Sequence, residues 1–344
     1  MSDMRDILED AVEGLLRDAV TPTLLRDAEL GQWPAALWAD VEAAGLTHAA
    51  IVEDAGGAGA SWGEIFALIR ATGRHGAPIP LVETLIGNWL LSQAGLAPLG
   101  GPLSIAMAPD TMPNAGPFNV VLPGVAWGGA CEHLLVLAGR EAPQLMLFAR
   151  SAFSASSAAN IAGEPRDDLT LEGAVPLASA AWTHGADALL LTGAMARSAQ
   201  IAGAIERVLE QSILYANERV QFGRPIAQFQ AVQQTLAQLS TQALLASAAA
   251  ENAFNTADTE LSEFAIASAK ACTSELAGLA ASAAHAVFGA IGITHEHSLH
   301  FATRRLWSWR GEFGGQSFWA ERLGRQACAA TASALWPAVT RGSF

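Results

Sequence analysis

The sequence predicts a mainly α-helical protein with a small β domain. An N-terminal helical domain covers residues 1–102, a middle antiparallel β domain 103–186, and a C-terminal four-helix bundle 187–344. Three observations predict this order. Apolar residues recur at helical spacing as far as residue 97 or so. Short, turn-bounded runs with strand character follow. From Ala188 the helical period returns and persists, in a composition rich enough in alanine for helices to approach closely.

Ile7, Val12, Leu15 and Leu16 set the first helical face, and Leu37, Trp38 and Val41 set a second that stops at Gly45. Gly56, Gly57 and Gly59 make a turn. No strand feeds them, so their spacing does not amount to a phosphate loop. A third helix spans 62–72 and ends near Gly73, and Pro78 and Pro80 break the chain before another at 83–94. Pro98, Gly100, Gly101 and Pro102 form the linker to the β domain. Its strands fall at 119–122, 133–138, 145–149 and 169–171. In the C-terminal domain Ile201, Ile205, Val208, Leu209 and Ile213 share one face. After a break at residues 223–225, the next face holds Phe229, Val232, Leu236, Leu239 and Ala243, and a further helix spans 262–288.

Composition narrows the function. Charged residues make up only 15% and hydrophobic ones 51%, which points to surface buried against other subunits. A formal net charge of −14 argues against a broad nucleic-acid footprint. The first ten residues are acidic and lack the apolar segment of a signal peptide. No uninterrupted run of about 20 apolar residues predicts a membrane span. Cys131, Cys272 and Cys328 are far apart and odd in number, so they read as buried free thiols of a reducing cytoplasm.

The stretch 215–233 reads Tyr-Ala-Asn-Glu-Arg-Val-Gln-Phe-Gly-Arg-Pro-Ile-Ala-Gln-Phe-Gln-Ala-Val-Gln. It ends one helix, turns at Gly223 and starts another after Pro225. Proline suits a first helical turn because its missing N–H has no partner there. Arg219 offers a rigid, forked donor set that suits a pyrophosphate. The plainer alternative is an arginine that pairs with Glu218 or caps a helix. With Arg219, Phe222, Gly223, Pro225, Ile226, Phe229 and Gln230 at fixed spacing, the segment closely resembles the acyl-CoA dehydrogenase signature. Trp38, Gly45, Leu46, Glu53, Gly56, Gly57 and Gly59 are similar to that family's N-terminal pattern. Residues 288–300 resemble its second signature through Gly289, Gly292, Thr294 and Glu296, with Ala290 in place of one glycine.

The resemblance implies FAD as cofactor. Arg219, Gln221, Phe222 and Gln230 become cofactor contacts, with Arg219 and Phe222 on the adenosine diphosphate half of an FAD held by a neighbouring subunit. His285, standing where the family commonly has a glutamine, and Gly289 join them. It also implies α,β-dehydrogenation of an acyl-CoA thioester. A carboxylate removes the Cα proton while hydride passes from Cβ to flavin N5, and an electron-transfer flavoprotein or similar acceptor takes the electrons.

The sequence also departs from the family. No Thr-Glu-Pro or Gly-Ser-Asp segment stands between 103 and 130 to hold the flavin ring. Of the family's Trp-Ile-Thr element only Trp127 remains, as a flavin contact or as core at a strand edge. In the loop Arg-Gly-Glu-Phe-Gly-Gly over 310–315, ungapped alignment puts Phe313 at the position of the catalytic Glu. A one-residue slip makes Glu312 the base, and the alternative is a solvated carboxylate paired with Arg310 or Arg304. Some branches use a Glu near the start of the helix preceding the Arg219 motif. That position falls at about Gly193, which has no Glu beside it. His295, His297 and His300 invite a metal reading, but the family places them in a loop near cofactor or substrate, so no metal is expected. The aromatic set Trp307, Trp309, Phe313, Phe318 and Trp319 reads as core and pocket wall. Two functional readings stay open: a flavoprotein dehydrogenase, or a non-catalytic subunit completing the FAD site of a homologous partner. Both predict a homo-oligomer or heteromer.

Overall fold

The computed structural model describes residues 3–109, 116–331 and the pairs 333–334 and 336–337. The chain divides into two compact units, Met1–Ser61 with Pro78–Gly193, and Trp62–Ala77 with Ala194–Phe344.

The first unit holds helices α1 (Asp3–Ala19), α2 (Pro22–Glu29), α3 (Ala35–Ala43) and α5 (Leu81–Gln93), followed by seven strands. In α1 the buried stripe is Leu8, Val12 and Leu16, at i, i+4 and i+8; Ile7 is instead 62% exposed. Thr21 caps α2, accepting from the Leu24 N–H, and Pro22 opens the helix. The strands are β1 (Leu103–Met107), β2 (Phe118–Ala126), β3 (His133–Ala138), β4 (Gln144–Ala149), β5 (Phe153–Ser156), β6 (Arg166–Ala174) and β7 (Ala178–Ala181). They form one sheet in the order β1-β3-β4-β7 and another in the order β2-β6-β5. All pairs are antiparallel except β1 with β3. Leu134, Val136, Met146, Phe148, Leu169 and Leu171 fill the core of this β region.

The second unit holds α4 (Trp62–His75), the body of α6 (Ala188–Glu218), a hairpin of β8 (Val220–Gln221) and β9 (Arg224–Pro225), then α7 (Gln230–Ala257), α8 (Glu263–Phe288), α9 (Leu299–Trp309) and α10 (Gln316–Ala329). α4 runs past Gly73, the glycine expected to end it. Gly73 serves a close helix crossing instead. A Cβ there would stand 2.0 Å from the Gln200 carbonyl oxygen of α6, and one on Gly203 of α6 would stand 2.0 Å from that of Arg70. Arg70–Glu206 and Arg74–Glu210 ion pairs flank the crossing.

α8 packs against α7, α9 and α10 through a face of small residues that includes Ala269, Ala277, Ala280 and Ala284. α6 and the stretch 263–293 are long and apolar enough to cross a membrane by length and composition. Within the fold, 89% of the most apolar window of α6 is buried, against 44% for 263–293. All three cysteines are free, and only Cys131 is fully buried; Cys328 is exposed. Burial pushes the Cys131 thiol up to about 12.

Candidate active site and cofactor-contact hairpin

The last turn of α6 is extended by the Arg219 N–H, which donates to the Tyr215 carbonyl; the Ile226 N–H returns to the Arg219 carbonyl. Between them β8 and β9 pair through Val220–Pro225 and Gln221–Arg224. Phe222 and Gly223 form the two-residue turn, at φ +52° and +80°. Positive φ at both central residues is the hairpin-favoured turn that Gly serves at no cost and a bulky residue serves only under strain. Phe222 is 92% exposed, so burial returns nothing for that strain inside this chain. Its ring meets Phe229 edge-on at 6.0 Å, and the Arg224 guanidinium sits 4.4 Å from the Phe229 ring centre. Arg219, Gln221 and Gln230 are exposed. Among the described residues the Arg219 guanidinium has no hydrogen-bond or ion-pair partner, Glu218 included. The hairpin thus gathers Arg219, Gln221 and Phe222 at one tip, with Gln230 at the start of the next helix.

His285 lies in the last turn of α8, with Nε2 3.2 Å from the Thr303 hydroxyl. Its Nδ1 is buried without a partner, and desolvation holds the ring's pKa below its usual value. Gly289 ends α8 at φ +64°, ψ −143°, a conformation open essentially to glycine alone. Trp127, in the first unit, is 7% exposed at φ +58° and packs edge-on against Trp33 at 6.4 Å. The histidines beyond α8 serve local structure. His297 Nδ1 accepts from the Leu299 N–H, and His300 Nδ1 lies 2.7 Å from the His297 carbonyl oxygen, so together they frame the start of α9.

Glu312 sits in the loop between α9 and α10. It meets Arg197 of α6, one helical turn beyond Gly193, and no hydrogen bond or ion pair joins it to Arg310 among the described residues. Arg197 Nε donates to Glu312 Oε2 at 2.7 Å, and the side chains are 4% and 20% exposed. Arg197 also donates to the Gln200 amide oxygen. The Gln200 amide nitrogen donates to the Thr72 hydroxyl at 3.1 Å, and that hydroxyl to the Ile69 carbonyl at 2.7 Å. The rings of Trp309 and Phe313 lie 5.9 and 5.8 Å from the guanidinium. Phe313 is at φ +52°, and its carbonyl accepts from the Trp319 indole N–H at 3.0 Å.

Under the same loop lies Lys270 of α8, fully buried. Its ammonium donates to the Ser274 hydroxyl at 2.9 Å and to the Trp309 and Arg310 carbonyls at 3.2 and 3.0 Å. Burial pushes its pKa down to about 7; Glu312 opposes that shift, and Arg197 and Arg310 add to it. Sequence reasoning passed over both cations. The signals were there: Arg197 is the lone charge between Asp187 and Glu206, and Lys270 is the only lysine in the chain.

The fold is thus mainly helical with a small β region, and it presents the signature hairpin at its surface. Residues 2–97 match the acyl-CoA dehydrogenase N-terminal domain, and residues 184–311 match the acyl-CoA dehydrogenase C-terminal domain. The chain belongs to the acyl-CoA dehydrogenase family, whose members are oxidoreductases acting on acyl-CoA. It is 27% identical to the acyl-CoA dehydrogenase FadE34 of Mycobacterium tuberculosis over 94% of this chain, and spans only 48% of that relative's length. It is 28% identical to the acyl-CoA dehydrogenase IpdE2 of Mycolicibacterium smegmatis, covering 89% of this chain and 93% of the relative. The ChsE4-ChsE5 complex of Mycobacterium tuberculosis shares the fold at a TM-score of 0.84 and 23% identity, over 96% of this chain and 99% of that one.

Proposed function

We propose that this chain is a subunit of an FAD-dependent acyl-CoA dehydrogenase, presenting Arg219, Gln221 and Phe222 to the ADP half of an FAD held largely by a neighbouring subunit. The observation that carries this reading is the tip of the hairpin. It combines an unpartnered guanidinium with a strained phenyl ring that is 92% exposed. A forked cation and a flat apolar face suit a pyrophosphate and the ring system beside it. FAD, when bound, takes the hydride from Cβ. Gln230, His285 and Gly289 are the further contacts this reading assigns, and Trp127 would need to reach the flavin from its place against Trp33. The half-open apolar surface of α8 and the exposed Leu244, Leu245 and Leu279 support association with a homologous chain, as a homo-oligomer or heteromer. A cytoplasmic setting and an electron-transfer flavoprotein or similar acceptor belong to the same reading, with a bulky, steroid-type acyl group as the substrate class.

Two roles remain for the chain within such an assembly. In one, Glu312 leaves Arg197 and takes the Cα proton of the acyl thioester. In the other, the chain completes a partner's site and performs no proton transfer. The Arg197–Glu312 contact favours the second. A carboxylate that already accepts a charge-assisted bond from a buried guanidinium weakens that bond when it takes a proton, because the charge that strengthens it is gone. The two-component ChsE4-ChsE5 complex, which shares the fold, supports pairing with a second chain.

The deciding experiment purifies the chain alone and with candidate homologous partners, then scans for flavin absorbance. Flavin retained only in the mixed complex supports the partner role. Anaerobic addition of an accepted acyl-CoA to a complex carrying Glu312→Gln then separates the two roles. Lost bleaching makes Glu312 the base, typically an effect of about 10²–10⁴-fold. Normal bleaching assigns the chemistry to the partner.

A further inference from the structure

A chain with 19 basic Lys and Arg residues keeps a single lysine, Lys270, and buries it completely. Its three amine hydrogens meet three acceptors. One is on its own helix, the Ser274 hydroxyl, and two are the Trp309 and Arg310 carbonyls at the end of α9. The last carbonyls of a helix lack intrahelical partners and carry the negative end of its dipole, so a buried cation there satisfies both needs. The Arg310–Gly315 loop starts at those carbonyls. The Glu312 N–H itself donates to the Trp309 carbonyl at 3.2 Å.

We propose that Lys270 is the positioning residue of the Glu312 loop, and that it holds both terminal carbonyls of α9 tightly only while its amine is the charged ammonium. A neutral amine can keep its contacts if the Ser274 hydroxyl turns to donate to its lone pair, but its bonds to the two carbonyls lose their charge assistance and the negative end of α9 loses its counter-charge. An arginine cannot act this way because it does not lose its proton.

The charges around the amine set when this happens. Arg197 on α6 and Arg310 at the head of the loop disfavour the ammonium, and Glu312 favours it, against a desolvation that is larger than any of them. α7 contributes one charged residue, Glu251, and none of the groups that shift Lys270 lies on α7 or α10. On α10 Arg322 is engaged with Glu263 at the far end of α8, and on α9 the buried Arg305 donates to the Phe301 carbonyl. The amine therefore loses its proton near neutral pH, and the loop carrying Glu312 loosens on the alkaline side. The functional weight of this control rests on the reading that the loop belongs to the active site.

Selective ¹³C/¹⁵N labelling of lysine gives one side-chain signal that needs no assignment. Hydrogen–deuterium exchange of the backbone amides of residues 310–313 reads the loop in the same full-length protein. The expected result is a single Lys270 titration near neutrality, with loop protection, corrected for intrinsic exchange, falling about tenfold over the same pH interval while α7 amides stay unchanged. Lys270→Met should show the loosened loop at every pH, and Lys270→Arg should show pH-independent protection. Loop protection that ignores the Lys270 titration in the wild type, or is unchanged in Lys270→Met, overturns the proposal. If neither variant folds, the wild-type series decides alone. Flavin bleaching in the complex is scored separately: no bleaching in any form sinks the dehydrogenase reading and leaves the loop result standing.

Discussion

Arg197 and Glu312, 115 positions apart, meet at 2.7 Å and join the middle of α6 to the last loop of the bundle. The arginine is the more deeply buried partner, so removing the carboxylate takes a counter-charge from a guanidinium that is only 4% exposed. Glu312→Ala is expected to destabilise the fold by about 3 kcal/mol. Arg197→Met combined with Glu312→Gln should cost less than the sum of the single changes, by at least about 1 kcal/mol. Urea unfolding of the four proteins closes the cycle, and simple additivity would mean the contact is incidental.

Arg219→Ala should behave oppositely. Its guanidinium has no partner among the described residues, so stability should stay within about 0.5 kcal/mol of wild type. FAD affinity of the assembled complex should fall by about 1.5–3 kcal/mol, the loss of a charge-assisted bond. Titrating FAD into the apo-complex measures this, and unchanged affinity would remove Arg219 from the site.

The glycines of the α4–α6 crossing should tolerate no side chain. With carbonyl oxygens 2.0 Å from the position of an added Cβ, the helices must separate. Gly73→Ala and Gly203→Ala are each expected to cost about 2–3 kcal/mol or more. Thermal melts that match the wild type would show the crossing to be looser than described.

Lys270 makes stability depend on pH with a definite sign. Its folded pKa, about 7, lies below the ordinary value of 10.5. Between those values the unfolded chain binds the extra proton, so stability rises with pH, by at most about 1.4 kcal/mol per unit. That gain is absent below the folded pKa. Denaturant midpoints measured from pH 6.5 to 9.5 should show the rise in wild type and a flatter profile in Lys270→Met.

Much of this was legible in the sequence, and the failures have physical causes. The strand at 133–138 was found at its observed bounds because it is a continuous apolar run with turns at both ends. β1, β5 and β7 were missed: Ser104 in β1, Ser154 and Ser156 in β5 and Ser179 in β7 interrupt the apolar signal, and pairing with neighbouring strands overrides weak local preference. Gly73 read as a stop because a glycine ends helices more often than it admits a neighbour. The hairpin was legible through its fixed spacing. The Arg197–Glu312 contact was not, because a contact across 115 residues leaves no local pattern. Nearby Arg304 and Arg310 were the natural guesses, although Arg197 stood out as a lone charge in an apolar helix.

Phe222→Ala should leave the unfolding midpoint of the isolated chain unchanged or slightly raised, since a largely exposed ring is removed from a strained turn. The same change should weaken assembly with a flavin-bearing partner. Sedimentation of wild type and variant with that partner checks both halves, and equal association would place the ring outside the interface.

An uncovered phenyl ring at the tip of a hairpin also has consequences for the cell. If a partner covers Phe222 as proposed, copies of the chain made in excess of that partner carry an open apolar tip into a crowded medium. Synthesis in step with such a partner would keep the tip covered. On that reading the hairpin constrains how much of this chain can be made as well as what it joins.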